Sequence, residues 1–232
     1  MKRLGGPLLA VLLVAMVAGG LYYADGRIRE RVERQVRTQL QSRLGTPTAP
    51  TVDIAGFPFL VQAALGSIKS VHIVSDQLGS ENDAPLPVRH ADLVLTDVTS
   101  DDRFATMTAA HAEGTAELDY SALQSVAGVP LTYIGDGRVH TEATTDFLGQ
   151  PVKAQIEGSP QVDVPGQTLM LDHVTITVAG VRLPDFTSKA LVKAVLKPMP
   201  LTGIPLGLQV RGIREEDDGV HAELTGDNLP IR

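Results

Sequence analysis

Cysteine and tryptophan are both absent from this chain of 232 residues, and aromatic residues are scarce, at five Phe and four Tyr. Without cysteine there can be no disulfide framework, no thiol nucleophile, no cysteine-based zinc site and no lipidated cysteine anchor. The absence of cysteine does not exclude an extracytoplasmic location.

Recognisable catalytic and metal-binding motifs are missing as well. The sequence contains no Gly-x-Ser-x-Gly elbow, no phosphate-binding loop and no dinucleotide-binding fingerprint. Its histidines are scattered singly, with no pair at helical i, i+4 spacing: His72, His90, His111, His140, His173 and His221. We therefore interpret them as ordinary strand residues. We predict no catalytic residue, no metal ligand and no cofactor, and we expect that the chain is not an enzyme.

Acidic residues cluster at two predicted turns, Asp101-Asp102 and Glu215 to Asp218. Carboxylates of this kind can bind a hard cation. Neither cluster has the alternating spacing of a calcium loop, which favours solvated turns. A carboxylate pair for acid–base catalysis stays open at this stage, because the 24 acidic residues after position 45 supply many pairs in space.

Positive charge is concentrated near the N-terminus. Residues 25–45 hold six arginines against three acidic residues, a balance of +3. Residues 46–232 hold 12 basic and 24 acidic residues, a balance of −12. Binding to phosphate backbones needs basic patches, so this acidic body argues against nucleic acid as a partner.

The first 24 residues have the pattern of a membrane signal. Two basic residues precede an uncharged run from Leu4 to Ala24, which ends in Tyr22 and Tyr23. A helix of that length spans about the 30 Å of a bilayer's hydrocarbon core, and tyrosines are enriched at the membrane interface. We predict a signal anchor over residues 1–24, with a cleaved signal peptide as the alternative. Either places the body outside the cytoplasm.

Residues 25–45 have the pattern of a basic amphipathic helix. One apolar residue recurs every four positions, at Ile28, Val32, Val36, Leu40 and Leu44, before Gly45 and Pro47 end the helix. Two interpretations stay open. The helix could lie against anionic head groups, where each Lys or Arg contributes about 1 kcal/mol. It could instead be a solvated stalk whose apolar stripe packs on the body.

The segment from Thr51 to Val74 organises the rest of the chain. It has a strand with alternating Val52 and Ile54, a break at Gly56, a short helix and a second strand. The helical part, from Phe57 to Leu65, has no charge at all. A helix without a polar face predicts that something covers it all round. It is either a core helix or one end of an apolar cavity, and the two are compatible.

Residues 46–232 are predicted to form one α+β domain. Alternating apolar residues predict many antiparallel strands, with a loop over 77–87, helices over 120–127 and 187–196, and a final hairpin over 204–224. Several strands carry apolar residues on both faces. Such a pattern is expected when an elongated, curved sheet wraps around helices and encloses an apolar groove.

Several short motifs in this order resemble the actinobacterial LmeA-like phospholipid-binding proteins. They are the membrane-proximal helix, Val52-x-Ile54 before Gly56-Phe57-Pro58-Phe59-Leu60, Gly66, Ser70-Val71, Gly114-Thr115-Ala116 before Tyr120-x-x-Leu123, and Ile204-Pro205-Leu206-Gly207-Leu208. The resemblance covers most of residues 25–231. It implies an envelope-associated, extracytoplasmic protein that holds phospholipid acyl chains in an elongated apolar groove, and lipid transfer is a further activity to test.

The residues expected to serve this function follow from burial and charge. We predict that the wall or mouth of the groove includes Phe57, Phe59, Leu60, Val61, Leu65, Leu191, Val195 and Leu206. The head-group candidates are Lys189, Lys193 and Lys197, because they are the clustered positive charges of the acidic body. A solvated helix face is the alternative for these lysines.

Two other classes of function stay open from the sequence. One is a membrane-tethered scaffold whose apolar residues fill their own core. The other is an envelope hydrolase, which would need carboxylates or a Ser/His pair to converge in space.

Overall fold

The protein is described here by a computed structural model over residues 5–44, 46–78, 88–101, 106–147, 150–184, 199–201 and 204–231. Within these ranges its α-helices are α1 (Gly5–Leu44), α2 (Phe59–Leu65) and α3 (Tyr120–Ala127). A short 3-10 helix covers Pro205–Gly207. Helix α1 passes from the uncharged N-terminal run into the basic segment without a break.

Twelve strands lie within the same described ranges. They are β1 (Thr51–Ala55), β2 (Ser67–Leu78), β3 (Val88–Asp101), β4 (Thr106–Leu118), β5 (Thr132–Gly135), β6 (Arg138–Phe147), β7 (Gln150–Asp163), β8 (Thr168–Val178), β9 (Val181–Arg182), β10 (Met199–Pro200), β11 (Gln209–Glu216) and β12 (Gly219–Ile231).

The strands form two curved, antiparallel sheets. The first has the order β1-β2-β3-β4-β12-β11, and the second has the order β10-β8-β7-β6-β5 with β9 paired to β8. The prediction of a mainly antiparallel α+β fold is therefore confirmed. Neighbouring strands of the first sheet follow one another in the chain except where β12 returns to pair with β4.

The first sheet buries one face, and the buried positions change phase along a line across it. On one side of the line the side chains of Val71, Leu95 and Ala112 are buried. On the other side the buried side chains are Ile68, Val98 and Ala109, each three positions away on the same strand. Three residues separate these positions, whereas regular alternation would require an even number. The residues on the line, Lys69, Asp97, Ala110 and Asn228, are missing from the pairing ladders, and Asp97 and Asn228 have positive φ. This irregularity explains why the strands show apolar residues in both phases.

Helix α1 covers the outer edge of the first sheet at β1. The Ile54 N–H donates to Glu33 Oε1 at 3.1 Å, and Arg29 donates to the Ile54 carbonyl oxygen at 3.5 Å. Val32, Val36 and Leu40 of the predicted stripe pack on the main core. The stripe therefore packs on the body, and an edge strand that could have paired with another chain is satisfied by side chains.

One side chain in the turn between β7 and β8 joins the two sheets by hydrogen bonds. Gln167 donates to the Val210 carbonyl oxygen at 3.1 Å and accepts from the Val210 N–H at 2.9 Å. The backbone carbonyl oxygen of Gln167 accepts from the Leu201 N–H at 2.8 Å. The second sheet has a separate small core around Ala154, Ile156 and Ile176, so the main core belongs to the first sheet.

Several predicted elements agree with the structure, while others lie outside the described residues. Helix α3 ends at Gly128, whose φ is +69°, as its sequence predicts. Most of the loop over 77–87 and the whole helix over 187–196 fall outside the described ranges. Residues 204–208 were expected to begin the last hairpin, but β11 starts only at Gln209.

No helix in the described part of the chain has both the length and the apolar character needed to cross a membrane. The structure therefore does not show the membrane-spanning helix that the sequence predicts over residues 1–24.

Candidate functional site

The buried face of the first sheet carries the main apolar cluster among the described residues. One row across four strands consists of small residues that lie opposite one another: Ser75, Ala91, Ala116 and Ala222. All four are buried, at 3%, 5%, 6% and 6% exposure. Because these side chains are short, groups that pack on this row can approach the sheet backbone closely.

The next row has large side chains on three strands and a glycine on the fourth. Ile73 lies opposite Leu93, Leu93 opposite Gly114, and Gly114 opposite Leu224. A Cβ at Gly114 would collide with the Asp92 carbonyl oxygen and the Leu93 side chain. The position therefore requires glycine because the Leu93 side chain occupies the space above it.

The margin of this surface is only partly buried. Apolar residues that pack against the core without being enclosed include Leu93, Met107, Leu131, Val162, Leu201, Ile204, Leu206, Ile213 and Ile231. Leu206 was predicted from the sequence, and the structure places it here with a left-handed φ of +61°. The others were not predicted as site residues, because single apolar residues in strands and turns give no sequence signal that separates the margin of a core from its centre.

Ser75 is the polar exception on the buried face. Its hydroxyl is buried and has no hydrogen-bond partner among the described residues. A buried hydroxyl without a partner is unfavourable by about 1–3 kcal/mol. It could donate a hydrogen bond to an acceptor such as an ester oxygen. Nothing in the residues around Ser75 marks it as different from other strand serines.

The structure separates the residues of the uncharged helix that were predicted together. Phe59 is buried in the main core at 2% exposure, and Leu60 is half-buried. Val61 and Leu65 are 52% and 77% exposed, and Phe57, just before the helix, is 64% exposed. The prediction that this helix is covered all round is therefore wrong for the protein's own residues, because Phe59 is the one buried residue of Phe59–Leu65 and Ala63 is only partly buried against the main core. The role of these residues in ligand binding stays a prediction.

A buried carboxylate from α1 holds the start of α2. Asp25 is 4% exposed, and its two carboxylate oxygens accept from the backbone N–H groups of Phe59 and Leu60 at 2.9 and 2.7 Å. These are among the first N–H groups of α2, which have no partner within the helix. The sequence shows Asp25 as one acidic residue near a basic helix and gives no indication of this contact.

The remaining predicted site residues lie in the segment over 185–198, outside the described residues. They are Leu191 and Val195 for the apolar wall, and Lys189, Lys193 and Lys197 for the head group. Their roles stay predictions.

Comparison with known protein families identifies the chain. A family model described as LmeA-like phospholipid-binding matches residues 23–225, which include α2, the whole buried face of the first sheet apart from the end of β12, and most of α1 after the uncharged run. The chain belongs to the LmeA-like phospholipid-binding family. Searches of curated proteins and of solved structures found no match to it.

The histidines of this LmeA-like protein all lie in strands and contact carboxylates. The pairs are His72–Asp92, His90–Asp76, His111–Asp227, His140–Glu157, His173–Asp172 and His221–Asp218. The prediction that they are ordinary strand residues is supported by their positions, since each has a local partner on a strand surface.

The acidic turn before β12 belongs to a charge network around Arg89. Arg89 donates to Asp218 at 2.7 Å and to Glu117 at 3.0 Å, and the hydrogen bond from Arg89 lowers the pKa of Asp218 to about 2. Ligand atoms of Glu216, Asp218 and His221 lie within 4.8 Å of one another. Because Asp218 already pairs with both Arg89 and His221, we assign the cluster to charge pairing rather than to a metal.

Burial affects two further groups at this end of the LmeA-like fold. The Tyr120 hydroxyl donates to the Glu216 carbonyl oxygen at 2.8 Å, and its ring stacks on Tyr133 with centroids 6.2 Å apart. Partial burial raises the pKa of Tyr120 and the pKa of Glu215. A neutral Tyr120 therefore stabilises the contact between α3 and the β11–β12 turn.

Proposed function

We propose that this protein binds a phospholipid by its acyl chains on the buried face of the first sheet, and that it binds without catalysing a reaction. Membership of the LmeA-like phospholipid-binding family is the observation that carries this proposal. The match includes nearly all of the apolar face described above, which supports that face as the place where the acyl chains lie.

The energetics of acyl-chain burial support a site with few polar contacts. Each buried methylene contributes about 0.8 kcal/mol, so ten methylenes would contribute about 8 kcal/mol without any ion pair. The row of small residues that starts at Ser75 would accommodate a chain close to the sheet. The Ser75 hydroxyl would then donate to an ester oxygen of the lipid, and Lys189, Lys193 and Lys197 would meet an anionic head group.

We further propose that the protein works outside the cytoplasm, associated with the membrane of the cell envelope. The uncharged run from Leu4 to Ala24 and the basic segment over 25–45 support this location. Transfer of the bound lipid between membranes is the activity that we would test after binding itself.

The test is native mass spectrometry of the full chain, released from mild detergent, before and after solvent extraction. We expect a mass excess that matches a phospholipid and disappears on extraction. Leu206→Asp, at the margin of the apolar face, should lower the bound fraction, while Val181→Asp, on an exposed strand of the second sheet, should not. A bare mass that stays unchanged after incubation with phospholipid vesicles would contradict the proposal and favour a scaffold with a fully packed core.

A further inference from the structure

Five large apolar side chains are exposed together where α1 meets α2. Tyr22 and Tyr23 of α1 are 67% and 66% exposed, and Phe57, Val61 and Leu65 of the α2 segment are 64%, 52% and 77% exposed. We name these five residues the α1–α2 patch. The rings of Tyr22 and Phe57 contact each other with centroids 5.4 Å apart. Asp25 joins the two helices by accepting hydrogen bonds from the N–H groups of Phe59 and Leu60.

Two exposed residues of α2 share one side of the helix. Val61 and Leu65 are spaced four residues apart, a spacing that places helical residues one above another, and the exposed Phe57 lies just before the helix. Phe59 points to the opposite side and enters the main core. The patch is therefore outside the buried face of the sheet and does not contribute to folding through burial. Contiguous exposed apolar side chains on a protein surface commonly mark an interaction site.

The surroundings of the patch favour a lipid bilayer over a second copy of the chain. Helix α1 continues from Tyr22 directly into the uncharged run that begins at Leu4, and tyrosines at the end of such a run are typical of the membrane interface. The guanidinium of Arg27 lies 5.6 Å from the centre of the Tyr23 ring, and five more arginines follow in α1. A second copy would bring two basic helices together, whereas anionic head groups complement them.

We propose that the α1–α2 patch inserts into the interfacial layer of the bilayer and sets the orientation of the body. Phe57, Val61 and Leu65 enter the layer near Tyr22 and Tyr23, and Arg27, whose guanidinium lies over the Tyr23 ring, meets the head groups. The acidic network around Asp218 lies at the opposite end of the first sheet, away from the anionic surface. This proposal rests on the proposed membrane location, but not on lipid binding at the buried face.

The orientation gives the patch a role in lipid exchange. Phe59 lies directly behind the patch in the same core cluster as Ile68, Val98 and Leu229, the row of the buried face nearest to α2. The end of the acyl-chain surface nearest to α2 is thereby held at the bilayer. A lipid could pass between the two without crossing bulk water.

Single tryptophan reporters can test the contact, because the chain has no tryptophan of its own. The full chain carrying Val61→Trp or Leu65→Trp would be reconstituted in vesicles of phosphatidylcholine and phosphatidylglycerol with brominated acyl chains, which quench indoles in contact with them. The matched control is Val181→Trp, at 65% exposure on the second sheet. We expect blue-shifted emission and several-fold stronger quenching at positions 61 and 65 than at 181. Equal quenching at the three positions would overturn the proposal.

A fourth reporter, Leu206→Trp, separates this proposal from the proposed function. Quenching at 206 but not at 61 or 65 would support lipid on the buried face and overturn the bilayer contact. Quenching at 61 and 65 but not at 206 would support the bilayer contact and count against the lipid site. Blue-shifted emission at 61 that depends on protein concentration and needs no vesicles would assign the patch to a dimer, which also overturns the proposal. As a second measurement, Val61→Asp combined with the Leu65→Trp reporter should weaken the quenching.

Discussion

At the scale of single residues, Phe57 and Phe59 give a matched pair with opposite surroundings. Replacing the buried Phe59 with alanine removes a large core side chain and leaves a cavity, so we expect Phe59→Ala to lower the free energy of unfolding by about 3–5 kcal/mol. Phe57→Ala, at an exposed position, should change it by less than about 0.5 kcal/mol. Urea unfolding followed by circular dichroism measures both values.

The contrast between the exposed Phe57 and the buried Phe59 also determines what an acidic substitution at Phe59 would measure. Phe59→Asp would place an unpaired charge in the core, and we expect it to prevent stable folding rather than remove a ligand selectively. Comparable losses of stability for Phe57→Ala and Phe59→Ala would contradict the assignment of Phe59 as the buried residue of α2.

The sequence could identify α2 but not which of its side chains are buried. In β1 the alternation of apolar with polar or small residues correctly selects Val52 and Ile54 as buried. From Phe57 to Leu65 nearly every residue is apolar, so no contrast distinguishes Phe59 from Val61. The direction in which Phe59 points is set by Asp25 and the sheet, which are distant in the chain or formed only in the fold.

At the scale of elements, Asp25 of α1 joins the start of α2, more than 30 residues further along the chain. Asp25→Ala would leave two N–H groups at the buried start of α2 without a partner. We expect a loss of about 1–3 kcal/mol in unfolding free energy and faster hydrogen exchange at Phe59 and Leu60. Asp53→Ala, at an exposed aspartate of β1, is the matched control and should leave both measurements near the wild-type values. Unchanged exchange at Phe59 in Asp25→Ala would disprove the capping role.

Contacts of this kind explain why the strands could be predicted better than their assembly. Alternation, the turn at Gly135 to Gly137 and the glycine after α3 are local signals, and the elements that they predict are present. The bonds from Glu33 and Arg29 to Ile54, and from Gln167 to Val210, join positions more than 20 residues apart. Nothing in the neighbouring sequence marks these polar side chains as different from solvated ones.

At the scale of the whole molecule, paired charges make stability depend on pH. Hydrogen bonds to Glu113 and Asp227 raise the pKa of His111 above its ordinary value of about 6.5. Because the folded state binds this proton more tightly, the contribution of His111 to stability is fully present below that ordinary value and is lost as pH rises through the raised one. We expect His111→Gln to destabilise the protein at about pH 5 and to have little effect at about pH 9, as measured by urea unfolding.

Removing the two carboxylates provides the control for this prediction. In a chain that already carries Glu113→Gln and Asp227→Asn, the His111→Gln substitution should no longer alter the pH dependence, because the groups that favour the imidazolium are gone. A destabilisation by His111→Gln that grows as pH rises would have the wrong sign and would contradict the assignment.

The irregular line through Lys69, Asp97, Ala110 and Asn228 has a consequence for how substitutions in this sheet are interpreted. In a saturation mutagenesis survey, sensitive and tolerant positions should alternate along each strand, and the alternation should reverse at the same line in all four strands. Deleting a single residue on one side of the line would shift one half of a strand and leave the other half in place. Substitutions in one half of a strand should therefore be tolerated independently of substitutions in the other half, although each strand is continuous in the chain.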